Sequence, residues 1–197
     1  MKKTVTILCA ALVLGLGLQE AKALRYVTKQ GTERAGTAGA VGVKDENFGR
    51  THLTTLYLSS LSLGSFVNGN SANGVLLYTL PTGSELIDIG RVNIALTHDN
   101  GDAVNDTPDV GLGTTLASGT SAAVLSGVGA ATENVLTGQT AIDANGTTFN
   151  GTAANVGLVR STSDTKTIYL NAADAWDGNG SVSATGEVQI QWVDLIE

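Results

Sequence analysis

Past residue 24 the dominant pattern of hydrophobic positions in this chain is a period of two, which places alternate side chains on opposite faces of a strand. In "VNIALT" the apolar Val92, Ile94 and Leu96 alternate with Asn93, Ala95 and Thr97. In "GEVQIQWVDL" Val188, Ile190 and Trp192 alternate with Glu187, Gln189 and Gln191. Both segments predict antiparallel strands with one buried face, and Trp192, continuing the inward row, is expected in the core. Further strands are predicted at 53–63, 74–80, 109–118, 155–160 and 166–173, each bounded by stretches rich in glycine, asparagine, aspartate or serine. Asn73-Gly74, Asn100-Gly101, Asn145-Gly146, Asn150-Gly151 and Asn179-Gly180 supply residues that tolerate the positive φ of tight turns. Pro81 and Pro108 end strands by removing a hydrogen-bond donor. Sustained 3.6-residue periodicity is missing, and short helical turns are expected only around 132–138 or 171–178.

This pattern predicts an all-β protein: two antiparallel sheets packed face to face as a β-sandwich over residues 51–197, with a jelly roll as one way of winding it. The stretch "DTPDVGLGTTLASGTSAAVLSG" (106–127) then reads as a strand and its flanking loop, with small residues where another backbone comes close. Residues 24–50 lack strong alternation and are expected to form an extended arm. Residues 1–23 are different again: Lys2 and Lys3 precede an apolar run from Val5 to Leu18, and Ala21-Lys22-Ala23 offers small residues to a signal peptidase. The run is too short for a comfortable membrane span, so the segment is expected to be either a leader cleaved near Ala23 or an amino-terminal arm.

Composition narrows the function classes. In 197 residues there are 25 glycines and only 15% charged residues, with a formal net charge of −7, so the surface should repel nucleic acid and anionic membranes. The single cysteine, Cys9, excludes a disulfide framework within the chain. Asp99, Asp102, Asp106 and Asp109 gather in "HDNGDAVNDTPD" and are the candidate calcium ligands, but their spacing is not that of an EF-hand and the same residues are ordinary in a solvated turn, so no cofactor is expected. His52 and His98 show no two-histidine zinc spacing and are expected as packing or surface residues. Nucleophile elbow and phosphate loop are both missing, and no enzyme is expected. Trp176, set in "ADAWDGNG", is the candidate surface contact, able to stack on a sugar. Asn105, Asn145, Asn150 and Asn179 open Asn-x-Ser/Thr triplets that a chain of this composition contains by chance.

Five blocks, "DENFGRTHLTTLYLSSLSLG", "DTPDVGLGTTLASG", "ENVLTGQT", "IYLNAADAW" and "ATGEVQIQWVDL", occur in an order that resembles small virion structural proteins encoded near the capsid genes of tailed bacteriophages from marine and environmental sources. The resemblance covers about residues 25 to 197. It implies a β-rich, non-enzymatic protein on the capsid surface, decorating or cementing the head, with the major capsid protein or other virion proteins as partner and a homotrimer as the expected oligomer. The signal-like amino end departs from that family, since virions assemble in the cytoplasm. It keeps open a rival reading, a secreted bacterial β-sandwich adhesin or carbohydrate-binding module.

Overall fold

The computed structural model describes residues 40–100, 105–151, 159–161 and 166–195. Residues 1–23, the part of the expected arm before residue 40, Asp102, and the first four residues of the strand expected at 155–160 lie outside these. Ten strands run through the described residues: β1 Ala40–Phe48, β2 Thr51–Phe66, β3 Gly69–Leu80, β4 Ser84–His98, β5 Asp109–Gly113, β6 Leu136–Thr140, β7 Asn145–Gly151, β8 Val159–Ser161, β9 Lys166–Trp176 and β10 Gly180–Asp194. Between β5 and β6 come a single helical turn, α1 (Leu125–Val128), and a 3-10 turn, Ala130–Thr132. No helix among the described residues is long and apolar enough to cross a membrane.

One sheet has the order β1-β2-β10-β4-β7, with β8 also pairing to β4; the other has the order β3-β9-β5-β6. Every pairing is antiparallel. The two sheets close on one core: Leu56, Leu58, Leu61 and Leu63 of β2, Ile94 of β4 and Val188 of β10 meet Leu77 of β3, Leu112 of β5 and Leu170 of β9. This is the two-sheet β-sandwich expected from the alternation. Val92, Ile94 and Leu96 are at most 1% exposed, and Val188, Ile190 and Trp192 are buried with them, so the inward rows fall where period two placed them.

Several boundaries differ from expectation. Residues 40–48, expected within the arm, form edge strand β1, paired with β2 from Ala40↔Ser59 to Phe48↔Thr51. Polar Asp45 and Asn47 belong to its inward row and find partners there, which hides the strand from a hydrophobicity pattern. The strand expected at 109–118 stops at Gly113. A side chain at Gly113 would run into the Thr132 carbonyl, so the small residue lets the return of the β5–β6 connection lie against the sheet. Residues 171–178 hold the end of strand β9 rather than a helical turn. The two helical turns fall earlier than the expected 132–138, overlapping it only at Thr132, and its last three residues open β6.

Candidate functional site

The segment after β5 covers the outer face of the second sheet. Beneath it Asn171, on β9, is wholly buried. Its Oδ1 accepts the Ala117 N–H at 2.9 Å, and its Nδ2 donates to the Thr115 carbonyl at 3.0 Å and the Thr132 carbonyl at 2.7 Å. One carboxamide thus bonds three main-chain groups, of which the Ala117 N–H and the Thr132 carbonyl would otherwise be buried without these partners. Around it Ala72, Ala117, Leu125 and Ala173 form a small second cluster, and Ala72 N–H donates to the Gly119 carbonyl at 2.9 Å. The glycine, alanine and serine of 114–127 are therefore spacers that bring loop backbone onto sheet.

The acidic loop ends on the same side. The inward row of β4 continues from Leu96 to His98, which is 3% exposed and has Nδ1 3.1 Å from Asp106 Oδ2. Asp106, expected in a solvated turn, is instead buried at 2% exposure, because its second oxygen accepts the Asp177 N–H at 2.9 Å and stitches the loop to the β9–β10 turn. Asp99 accepts the Ser181 N–H at 2.7 Å, and Asp109 accepts the Leu125 N–H at 2.8 Å. Each of these three carboxylates caps a different main-chain amide, and they do not converge. No group of three or more histidine, cysteine, aspartate or glutamate side chains among the described residues could hold a metal ion.

Trp176 corrects the expectation of a surface contact. It is 1% exposed, its Nε1–H donates to the Ser71 carbonyl at 2.9 Å, and its ring lies 4.5 Å from Phe66 and 4.9 Å, edge on, from His98. The reason is parity: Ile168, Leu170, Ala172 and Trp176 all sit on even positions of β9 and point inward. Asp174 interrupts that row. Burial pushes its carboxyl above the ordinary carboxylate range, the Ala175 N–H pulls against the rise, and the charges of Asp106 and Asp177 add to it. Its Oδ2 is buried without a hydrogen-bond partner. Asp174 also borders an open depression of about 510 Å³, with Asp109, Val124, Glu133 and Thr137 on its walls. Asp109 and Glu133 there are already committed to main-chain N–H groups, Glu133 to that of Gly138 at 2.6 Å.

A second polar cluster, unforeseen in the sequence, lies at the β1 edge. His52 is 7% exposed and stacks on Trp192, centroids 3.8 Å apart and planes within 6°. Its Nδ1 is 2.9 Å from Asp45 Oδ2. Its Nε2 stands 3.3 Å from Asp194 Oδ2 and 3.5 Å from Asn47 Nδ2, so the nitrogen faces an acceptor when protonated and a donor when not. Thr54 Oγ1 donates to Asp45 at 2.8 Å and accepts the Trp192 indole N–H at 2.9 Å. Burial also raises the Tyr78 phenol above its usual range, with the Thr54 hydroxyl opposing the rise and the Asp45 charge adding to it. Neither imidazole is hydrogen-bonded to a hydroxyl among the described residues. The sequence did carry one signal: His52 is separated from Thr54, Leu56 and Leu58 by even steps, and those are core positions.

No protein-family model, curated protein or solved structure matches this chain.

Proposed function

We propose that the chain is a non-enzymatic virion structural protein that decorates or cements the capsid of a tailed phage, acting from the capsid surface as a homo-oligomer, with a trimer as the working assembly. The observation that carries this reading over its secreted rival is the burial of Trp176. An exposed Trp176 beside the acidic loop would favour a carbohydrate-binding module, able to stack on a sugar, whereas here the indole is core and Asp99, Asp106 and Asp109 are spent on holding main chain. The polar side chains of the sandwich serve its own architecture, as suits a module whose task is to bind neighbours through shape.

The winding is compatible with this reading. We take the orders β2-β10-β4-β7 and β3-β9-β5-β6 as a jelly roll, one antiparallel ribbon folded over so that strands near in space are far apart in sequence. Jelly rolls serve in viral capsids and in lectins alike, so the winding alone does not choose between the two readings. A net charge of −7 keeps such a surface from adhering to packaged or host nucleic acid. Oligomerisation multiplies affinity for a symmetric shell by raising the effective concentration of each added subunit.

The test is binding of purified protein to intact expanded capsids. Saturation at a copy number set by the shell's symmetry, with a rise in the temperature or salt stress at which the shells rupture, is the expected result. Deletion of residues 1–39 should weaken binding more than folding, since β1 starts at Ala40 and belongs to the sandwich. Non-saturating attachment would overturn the virion reading, and binding to polysaccharide with no capsid association, by a native chain that starts at Leu24, would overturn it in favour of the secreted module.

A further inference from the structure

The sequence holds six Asn-Gly pairs, at 68, 73, 100, 145, 150 and 179. Asparagine before glycine is the dipeptide most prone to intramolecular cyclisation, because glycine has no Cβ to obstruct approach of its nitrogen to the asparagine side chain. In that reaction the main-chain nitrogen of the glycine attacks Cγ, a new N–C bond closes a five-membered succinimide, and ammonia leaves with the proton lost by the nitrogen. Water then opens either carbonyl of the ring to give aspartate or isoaspartate. Nothing beyond water is consumed. The fold decides which pair can reach the ring geometry.

Four of the pairs are held. Asn68 Nδ2 donates to the Asp177 carbonyl at 2.7 Å, while Asn179 Oδ1 accepts the Asn68 N–H at 2.8 Å, so these two turns lock each other's asparagine. Asn73 and Gly74 lie inside the β3–β9 ladder opposite Ala172 and Asn171. Asn150 and Gly151 lie inside the β4–β7 ladder opposite Asn93 and Val92. For the pair at 100, Gly101 is outside the described residues.

Asn145 differs in its carboxamide. Like Asn68 and Asn179 it is exposed, but unlike theirs its side chain has no hydrogen bond among the described residues, and although its main chain pairs with Thr97 it stands at the first position of edge strand β7. Gly146 follows at φ 86°, in the register break between Ala95↔Thr148 and Thr97↔Asn145, with no cross-strand partner of its own. We infer that Asn145 is, of the five Asn-Gly pairs within the described residues, the preferred site of spontaneous succinimide formation, a built-in covalent modification site at the margin of the first sheet. The product sits against Asp143, whose Oδ1 caps the N–H groups of Asn145 at 2.9 Å and Thr147 at 3.2 Å. Isoaspartate at 145 places an extra methylene in the main chain between those two capped groups and a second negative charge beside the carboxylate, loosening the start of β7.

The experiment is prolonged incubation of the folded full chain in mildly alkaline buffer, followed by peptide mapping that separates aspartate from isoaspartate at each pair. Conversion at Asn145 should run several-fold faster than at 68, 73, 150 and 179. In denaturant that lead should shrink, since the pairs then share the same freedom. The variant Asn145→Gln, whose longer side chain cyclises poorly, should lose the signal at 145 while keeping the fold. Another of those four pairs leading in the folded chain, equal rates at all five in the folded chain, or a lead for 145 that persists undiminished in denaturant would overturn the inference.

Discussion

The Asn171 carboxamide accepts the Ala117 N–H from below, so that a side chain of the second sheet supplies the hydrogen bond a loop backbone would otherwise take from water. The loop can lie flat on the sheet because the polar partner is already in place beneath it.

Replacing Asn171 by alanine removes that bond and those to the Thr115 and Thr132 carbonyls, leaving two buried main-chain groups and the part-buried Thr115 carbonyl to find other partners. At about 1–3 kcal/mol for each buried group left unpaired, a loss of about 2 kcal/mol or more is expected in urea unfolding. Asn171→Asp should fare no better, since a carboxylate would face two carbonyl oxygens. Unaltered midpoints in both variants would mean that the cover over β9 does not depend on this residue.

Trp192→Ala should cost about 3–5 kcal/mol, the range for emptying an aromatic core site. The same change leaves Thr54 without its indole donor and strips the stacked face from His52. A midpoint shift that falls short of Trp176→Ala, measured side by side, would place the greater share of the core's stability at the acidic-loop end.

Two carboxyls should impose opposite pH dependences. Asp174 holds its proton to higher pH in the folded chain than in the unfolded one, so stability falls as pH rises from the ordinary carboxylate range through its raised folded value. Asp143 is shifted down, chiefly by the Thr147 hydroxyl and the Asn145 N–H, so its contribution is present above the ordinary range and disappears as pH falls through its lowered folded value. Urea midpoints measured across the acidic range should show Asp174→Asn flattening the decline toward neutral pH and Asp143→Asn flattening the loss toward acid. A slope unchanged by Asp174→Asn would mean that its carboxyl ionises as readily in the folded chain as in the unfolded one.

The strands that period two revealed were those with a long apolar stretch on the inward row, β4 from Val92 to Leu96 and β10 from Val188 to Trp192 above all. Edge strand β1 was hidden because Asp45 and Asn47 occupy the inward row there, satisfied by His52 and Thr54 rather than by water. Trp176 was misread because its sequence neighbours Asp174, Asp177 and Asn179 are polar, although even steps back from it reach Ala172, Leu170 and Ile168. The roles of Asp106 and Asn171 could not be seen at all, since the longest-range bonds that define them reach partners 71 and 56 residues distant. The loop's composition showed that backbones would approach closely there; which side chain would reconcile them was a matter of tertiary register.

The place of β10 between β2 and β4 has a consequence for how this protein comes into being. Its partner Phe66 faces Gly180 and its partner Thr51 faces Val193, so the middle of the first sheet closes only by joining segments more than half the chain apart. During synthesis, β1 to β9 can emerge from the ribosome, yet the seam between β2 and β4 stays open until the last of the described strands is free to enter it. Such non-local closure carries a large entropic cost before any contact rewards it and makes for slow folding. The waiting chain exposes the two long strand edges of β2 and β4 to any neighbour of the same sequence, so the order of translation itself sets the interval during which self-association competes with folding.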